Sequence, residues 1–523
     1  MKNKNFLLSV LCIIANLLIA GCYEDKGNYD YKNIGSVEMT IKNNYTVAMG
    51  GSVTLQADIK SDINTDDIRY EWQLFRSSSS EKFITIAEGE SVEYSFDNSY
   101  FASPGTYYLR MKAVQKSNER EFYSDIFQVR LTGVTGLMVL HDNGQESDIG
   151  LIVDKIFLAS EGETETQNTP DWYSVRNGKK IKGQGTQIIH LLTDDLPKYY
   201  PDRAYVAALT SEEGILADYT GLNYVDEYTK LFYGGLENPR PERFTVYSKQ
   251  EIFIDNGRLF VCDNVSQTRY YLNSINGIDE GTVFSPYVVP FQNYSYSYPC
   301  ICYDNTNECF VYWDWNQAWT AQECYKISTP GKAFDMAAMN AKLVYMDKGG
   351  RLSHYMAVMK TNEGNYYLAE MDFNTSVKTD APIARYEVSK LTDFNQSLFH
   401  AFGDDQINMC YYATAQHVYR YAAENSVLHD AEPLKKTDGT TIDFNGEITM
   451  MKILKPYRLT ANSSTGVSDF SYPGYNKVML VGTWDGTKGT LYCISLEEST
   501  GLATDVSTYE GFNIIRDANI KGI

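Results

Sequence analysis

The chain has 523 residues, 43% hydrophobic and 22% charged, with a mean hydropathy of -0.36. That balance belongs to folded soluble domains and excludes a disordered, collagen-like or multi-span membrane chain. A formal net charge of -21 and a pI near 4.8 repel phosphate backbones and exclude nucleic acid as a partner. The 42 Tyr and 23 Phe, beside only 14 Pro, favour pleated strands over a helical enzyme fold.

At the N-terminus, Lys2 and Lys4 precede an apolar run from Phe6 to Ala20, which is too short for a comfortable membrane span. Residues 1–21 therefore read as a signal peptide. Its end, Leu18-Ile19-Ala20-Gly21-Cys22, resembles the lipobox of bacterial lipoproteins, in which small residues precede a lipidated Cys. The resemblance implies acylation of Cys22, and acyl chains that bury methylenes at ~0.8 kcal/mol each hold a protein stably to a membrane. Removing Lys2 and Lys4 with the signal takes the net charge from -21 to -23. Residues 22–35 begin with Tyr23, Glu24 and Asp25, lack periodicity and read as a flexible tether. Acids directly after the lipidated Cys resemble the surface-export signal of outward-facing lipoproteins.

Residues 36–133 show short alternating strands. Val53–Ala57, Tyr70–Leu74 and Gly105–Val114 each place apolar residues on one face. Roughly 95 residues with about seven such strands is the size of a β-sandwich. A Tyr-x-Trp strand, Tyr70 to Trp72, followed by Pro104-Gly105-Thr106-Tyr107 leading into a long strand, resembles the polycystic-kidney-disease (PKD) branch of the immunoglobulin-like fold. That resemblance implies Trp72 between two sheets and Tyr107 at a corner. No Cys lies between residues 23 and 261, so packing rather than a disulfide holds this part together.

From Gly136 the runs become longer and more apolar. Leu137–His141, Ala204–Leu209, Glu251–Ile254, Cys309–Trp313, Tyr355–Met359, Ile407–Tyr411 and Val478–Val481 each open or belong to a hairpin-linked group. Asn256-Gly257 and Asp485-Gly486 are dipeptides that tight hairpins favour because they tolerate positive φ. Seven groups of about 55 residues each close best as a ring with few open edges, so residues 134–523 are expected to form a β-propeller of about seven blades. A last strand near Gly511–Arg516 stands apart and is placed to pair with Leu137–His141 and shut the circle. Further sandwiches, or six or eight blades, are the alternatives. No strict repeat signature is visible. The expected class is all-β.

No catalytic constellation stands out. There is no nucleophile elbow, no His-Glu-x-x-His, no P-loop and no dinucleotide fingerprint. The six His are dispersed and read as structural. Of the nine Cys, Cys12 leaves with the signal and Cys22 is lipidated. The other seven, with Cys300, Cys302, Cys309 and Cys324 grouped, match no zinc spacing and read as buried thiols, one disulfide among them remaining open. No metal or other cofactor is expected.

Aromatic clustering carries the binding expectation. Tyr294, Tyr296 and Tyr298 alternate with Ser, and Trp313, Trp315 and Trp319 surround Asp314, Asn316 and Gln317. Such rings stack on sugars or grip peptides while the polar groups hydrogen-bond. The competing reading packs Trp313 and Trp315 between neighbouring sheets.

The stretch Cys22-Tyr23-Glu24-Asp25-Lys26-Gly27-Asn28-Tyr29-Asp30-Tyr31 is similar to the start of PKD-like family lipoproteins, which accompany SusC/SusD-like nutrient importers. The resemblance implies an outward-facing lipoprotein of the outer membrane, an accessory subunit beside a TonB-dependent transporter, with a peptide or glycan cargo and no catalytic residue. A surface hydrolase on a propeller scaffold and a purely structural brace are the rival expectations.

Overall fold

The computed structural model describes residues 35–41, 44–48, 51–76, 83–96, 105–132, 135–157, 166–191, 205–218, 221–232, 235–247, 250–263, 274–290, 300–313, 323–350, 354–373, 380–403, 407–455, 474 and 476–521. The fold is all-β. Its described helices are a six-residue α-helix, Trp172–Asn177, and short 3-10 turns. The chain divides into two compact units at residue 130; residues 47–51 and 95–105 group with the second, where the sequence had suggested one uninterrupted domain over 36–133.

In the first unit, Ile68–Arg76 pairs antiparallel with Gly105–Gln115 and sets Trp72 opposite Met111 and Leu74 opposite Leu109. These four side chains are almost fully buried, as alternation predicts. Trp72 donates its indole N–H to the Gly89 carbonyl at 3.0 Å and meets Phe127 edge-on at 6.1 Å. Tyr107 is buried as well. On the other face of the same strands Arg110 is held between the rings of Phe83, 3.6 Å away, and Tyr123, 4.1 Å away.

Among the described residues, the second unit holds a series of seven antiparallel sheets of three or more strands, designated I to VII, and one small two-stranded sheet, Ala423–Glu424 with Val427–Leu428. Sheet I contains Gly136–Asp142, Glu146–Val153 and Gln167–Thr169, with the last strand of the chain, Ile514–Lys521, at its edge. The other sheets begin with the leading strands Gly185–His190, Pro241–Tyr247, Phe284–Pro290, Ala341–Lys348, Phe399–Phe402 and Glu447–Ile453. Second strands such as Leu137–Leu140 and Val478–Val481 are buried on both faces, which is why they read as unbroken apolar runs rather than alternation.

Apolar side chains join each sheet to the next. Phe244 and Phe253 of sheet III pack with Leu209 and Leu216 of sheet II. Trp313 and Cys302 of sheet IV join Ile252 and Ile254 of sheet III. Tyr303 pairs sheet IV with Met359 and Tyr367 of sheet V, Phe402 pairs VI with V, and Met479 pairs VII with VI. Leu480 and Phe512 of sheet VII then pack on Leu137 and Val139 of sheet I. Polar bonds follow the same order: Gln187 binds both the N–H and C=O of Phe244, at 2.8 and 2.9 Å, and Gly350 donates to Gly403 at 2.8 Å.

A last strand does pair with Gly136–Asp142, with Leu137 opposite Ile520 and Val139 opposite Ala518, but it runs Ile514–Lys521 rather than Gly511–Arg516, because Gly511 and Phe512 end the fourth strand of sheet VII. Asp142, fully buried, seals this junction. Its carboxylate accepts from Arg516 Nε at 2.7 Å and from the backbone N–H groups of Gly144 and Gly185 at 2.9 and 3.1 Å.

A repeat that composition and spacing had hidden lies at the end of every second strand. Asp142, Thr210, Asp255, Asp304, Thr361, Thr414 and Asp485 occupy equivalent places before the hairpin to the third strand. Six of these side chains accept from backbone N–H groups of their own turn, for example Asp304 from Thr306 and Asn307 at 2.9 and 3.0 Å, and Thr210 from Glu213 at 3.0 Å. Short oxygen-bearing side chains do this because they reach their own backbone two or three residues on. Asp255 is the exception. Asn256-Gly257, with φ of 49° and 68°, shapes that turn, and Asp255 instead accepts from the Tyr228 hydroxyl and the Arg240 N–H, both at 2.9 Å. The interval between equivalents ranges from 45 residues (210 to 255) to 71 (414 to 485), so no fixed period shows in the sequence.

Two outcomes follow. Deleting residues 514–523 uncovers the edge of Gly136–Asp142 and abolishes cooperative unfolding of the second unit, seen as loss of near-UV circular dichroism and rapid proteolysis. Arg516→Ala leaves a buried carboxylate without its cation and costs about 3 kcal/mol in urea unfolding. The Asp142→Ala/Arg516→Ala pair costs less than the sum of the two single changes.

Candidate functional site

The leading strands of sheets II to VII and the last strand of the chain lie each against the next, and the seventh leading strand, Glu447–Ile453, lies against Ile514–Lys521. Their side chains meet in one polar and aromatic cluster. Lys452 donates to Asp517 Oδ1 at 2.7 Å, and Asp517 Oδ2 accepts the Ile188 N–H at 2.9 Å, so one carboxylate ties three strands. Lys455, just beyond its strand, reaches Asp347 Oδ2 at 3.0 Å and also donates to the Lys348 carbonyl.

Three aromatic residues continue the cluster. The Arg243 guanidinium lies 5.3 Å from the centre of the Tyr287 ring. Tyr287 meets Tyr345 edge-to-face at 5.1 Å, and Tyr345 lies 6.0 Å from the His400 imidazole and 5.6 Å from Phe402. Burial, then the Asp347 charge, pushes the Tyr345 phenol well above its ordinary range; burial also raises Tyr287, against the pull of Arg243. Both phenols are thus neutral donors at physiological pH. Burial holds His400 at about 3, so it is neutral as well. Tyr287, Tyr345, Arg243 and Lys452 keep partial exposure, so the cluster is not sealed.

The two carboxylates are each bound to a lysine, and the hydroxyls belong to phenols held protonated. This chemistry suits holding a ligand through rings, donors and a guanidinium. A second polar network inside sheet V is self-contained: His354 Nδ1 lies 2.7 Å from Glu370 Oε1, whose other oxygen accepts from Tyr386 at 2.8 Å. His141 is held in the same structural way, with Nε2 donating to the Pro170 carbonyl at 2.8 Å and Nδ1 accepting from Asn513 at 3.2 Å.

Of the residues singled out in the sequence, Trp313 is described and is not an exposed platform. It is 2% exposed, inside the apolar layer between sheets III and IV, where strand pairing with Cys300 turns its ring inward. Tyr294, Tyr296, Tyr298, Trp315, Trp319 and Cys22 lie outside the described residues. In the described part of sheet IV, Pro290 pairs with Cys300 and Cys300 with Trp313. Cys300, Cys302, Cys309 and Cys324 are buried free thiols in one apolar cluster, with Cys300 and Cys302 sulfurs 3.4 Å apart on one strand face. Burial raises Cys302 well above its usual range and Cys309 to about 11, which leaves both as unreactive thiols.

Sequence reasoning did not single out Arg243, Tyr287, Tyr345, Lys452 or Asp517 as a site. They come from five strands spread over more than half of the chain, and no local spacing joins them.

The PKD-like family matches residues 22–185, a span that runs from the first unit through sheet I to the start of sheet II. No curated protein matches the chain. Three remote similarities to solved structures are the WD40 domain of SCAP from fission yeast, the AfRom2 CNH domain, and PorZ, a surface component of the type-IX secretion system of Porphyromonas gingivalis. They share 8%, 9% and 10% identity, with TM-scores of 0.31, 0.23 and 0.15. The alignments cover 62%, 60% and 91% of this chain and 73%, 94% and 67% of those chains, respectively.

His400 and His190, each held at about 3 by burial, bind fewer protons in the folded than in the unfolded chain between about pH 3 and pH 6.5. Stability therefore rises with pH across that window and falls on acidification. Urea midpoints measured from about pH 7 down to about pH 5 decline, and the decline is shallower in His400→Phe.

Proposed function

We propose that residues 134–523 form a β-propeller of about seven blades, and that the protein is a non-catalytic, lipid-anchored binding subunit on the outer face of the outer membrane. In this reading it works beside a SusC/SusD-like importer. Acyl chains on Cys22 supply the anchor, the PKD-like part acts as the spacer, and the seven-sheet unit presents the recognition surface to a peptide or glycan ligand.

The observation that carries the binding reading is the succession of seven strands, each packed against the next, six of which bring side chains to one cluster in which Arg243, Tyr287, Tyr345 and Lys452 are partly exposed and His400 and Asp517 are buried. Ligand sites favour such convergent places, with apolar walls and a few oriented polar groups. The lipoprotein part rests on Leu18-Ile19-Ala20-Gly21-Cys22 and the acids that follow it, and the PKD-like match over residues 22–185 supports the spacer.

The test is metabolic labelling with an alkyne fatty acid, membrane fractionation and affinity purification from gently solubilised cells. The wild type takes the label, fractionates with the outer membrane and brings transporter subunits with it. Cys22→Ala loses the label and leaves the membrane. An unlabelled wild type, or one recovered alone, overturns the anchored-subunit reading.

A further inference from the structure

The charges of the converging cluster are unequally matched. Lys452 is balanced by Asp517 and Lys455 by Asp347. Arg243 differs. Among the described residues no carboxylate lies within ion-pair distance of its guanidinium, which faces Tyr287 instead. In a chain of net charge -21, carboxylates are abundant, yet this half-buried cation is left with an aromatic ring.

We propose that Arg243, Tyr287 and Tyr345 bind a uronic-acid residue of an acidic glycan. This rests on the ligand-binding reading above and names its ligand class. A guanidinium fork matches the two oxygens of a carboxylate, and a partly desolvated site strengthens such a pair. The phenol rings offer apolar area for a pyranose face, and their neutral hydroxyls offer hydrogen bonds. A single unmatched cation suits a monoanion, whereas a phosphate dianion calls for more positive charge than the two engaged lysines leave over.

The main chain beside Arg243 argues against a peptide. Gln187 occupies both the N–H and the C=O of Phe244, and Asp517 and Asn519 occupy the N–H and C=O of Ile188. At Phe244 and Ile188 the main chain is therefore already bonded and not free to take an added strand, and open edges supply the affinity in strand-addition modes. A sugar acid needs none.

The experiment is calorimetric titration of the purified full chain with trisaccharides of galacturonate, glucuronate and mannuronate. Neutral galactotriose and an acidic Glu-Glu-Glu peptide serve as the comparison arms. At least one uronate trisaccharide binds, and the neutral sugar binds about tenfold more weakly or not at all. Arg243→Gln loses about tenfold or more in uronate affinity, and Arg243→Lys, which keeps the charge but not the fork, falls between. Tyr345→Ala weakens uronate binding with circular dichroism unchanged.

Equal binding of uronate and neutral sugar, or equal uronate affinity in Arg243→Gln, overturns the carboxylate assignment while leaving a glycan-binding protein. Binding of the peptide alone, sensitive to Arg243, overturns the glycan assignment. Absence of binding to every probe overturns the proposal. Purification of Arg243→Gln with its transporter partners keeps these failures separate from failure of the subunit reading. An Arg243→Gln chain that does not fold makes Arg243 structural, and the Arg243→Lys titration then decides: affinity equal to the wild type overturns the fork.

Discussion

Antiparallel pairing between Gly136–Asp142 and Ile514–Lys521 joins two segments separated by more than 370 residues, the separation of Asp142 and Arg516 being 374. Closing so long a loop has a large entropic cost, although that cost grows only slowly with length. The junction offsets it in two ways. Leu137, Val139, Ile515, Ala518 and Ile520 bury almost completely against sheet VII, and the fully buried Asp142 binds Arg516 and two backbone N–H groups. An uncapped series would leave strand edges open at both ends, a hazard for aggregation. Here the final strand serves as the edge of the first sheet, so the packing of sheet I on sheet VII depends on it.

Much of this was legible in the sequence. Leu137–His141 and Val478–Val481 announced buried second strands, Asn256-Gly257 a tight turn, and the solitary run near Gly511 the closing strand. The Trp72 strand announced its own core. The residue repeat was not legible, because an Asp in one sheet is replaced by a Thr in another. Both satisfy the same backbone donors, so chemistry is kept while identity is lost. The site was illegible for a different reason. Arg243, Tyr345 and Asp517 come together only through the packing of successive sheets, which no local spacing in the chain records. For Trp313 the sequence left two readings, packing between sheets and an exposed platform, and the ladder with Cys300 and its burial decide for packing.

The converging strands also explain how an acidic chain can hold a partly buried group of cations. Each lysine is neutralised by a carboxylate from another strand, so the pairs fasten sheets together as well as setting the local field. Phenols beside those carboxylates stay protonated, first because burial disfavours the charged form and then because of the neighbouring Asp347 charge. Arg243 contributes the remaining positive charge and, because it lies against a ring, can turn to a newcomer without uncovering a buried anion.

Placing the closing strand last has a temporal consequence. Until Ile514–Lys521 has been synthesised, sheet I lacks its edge and no register can be completed with Gly136–Asp142. A nascent chain thus holds an incomplete second unit until residue 521 has been made, and the step that locks it follows the synthesis of every other strand of that unit. A chain broken off before Ile514 would carry sheet I without its partner strand, a product that quality control treats as unfinished.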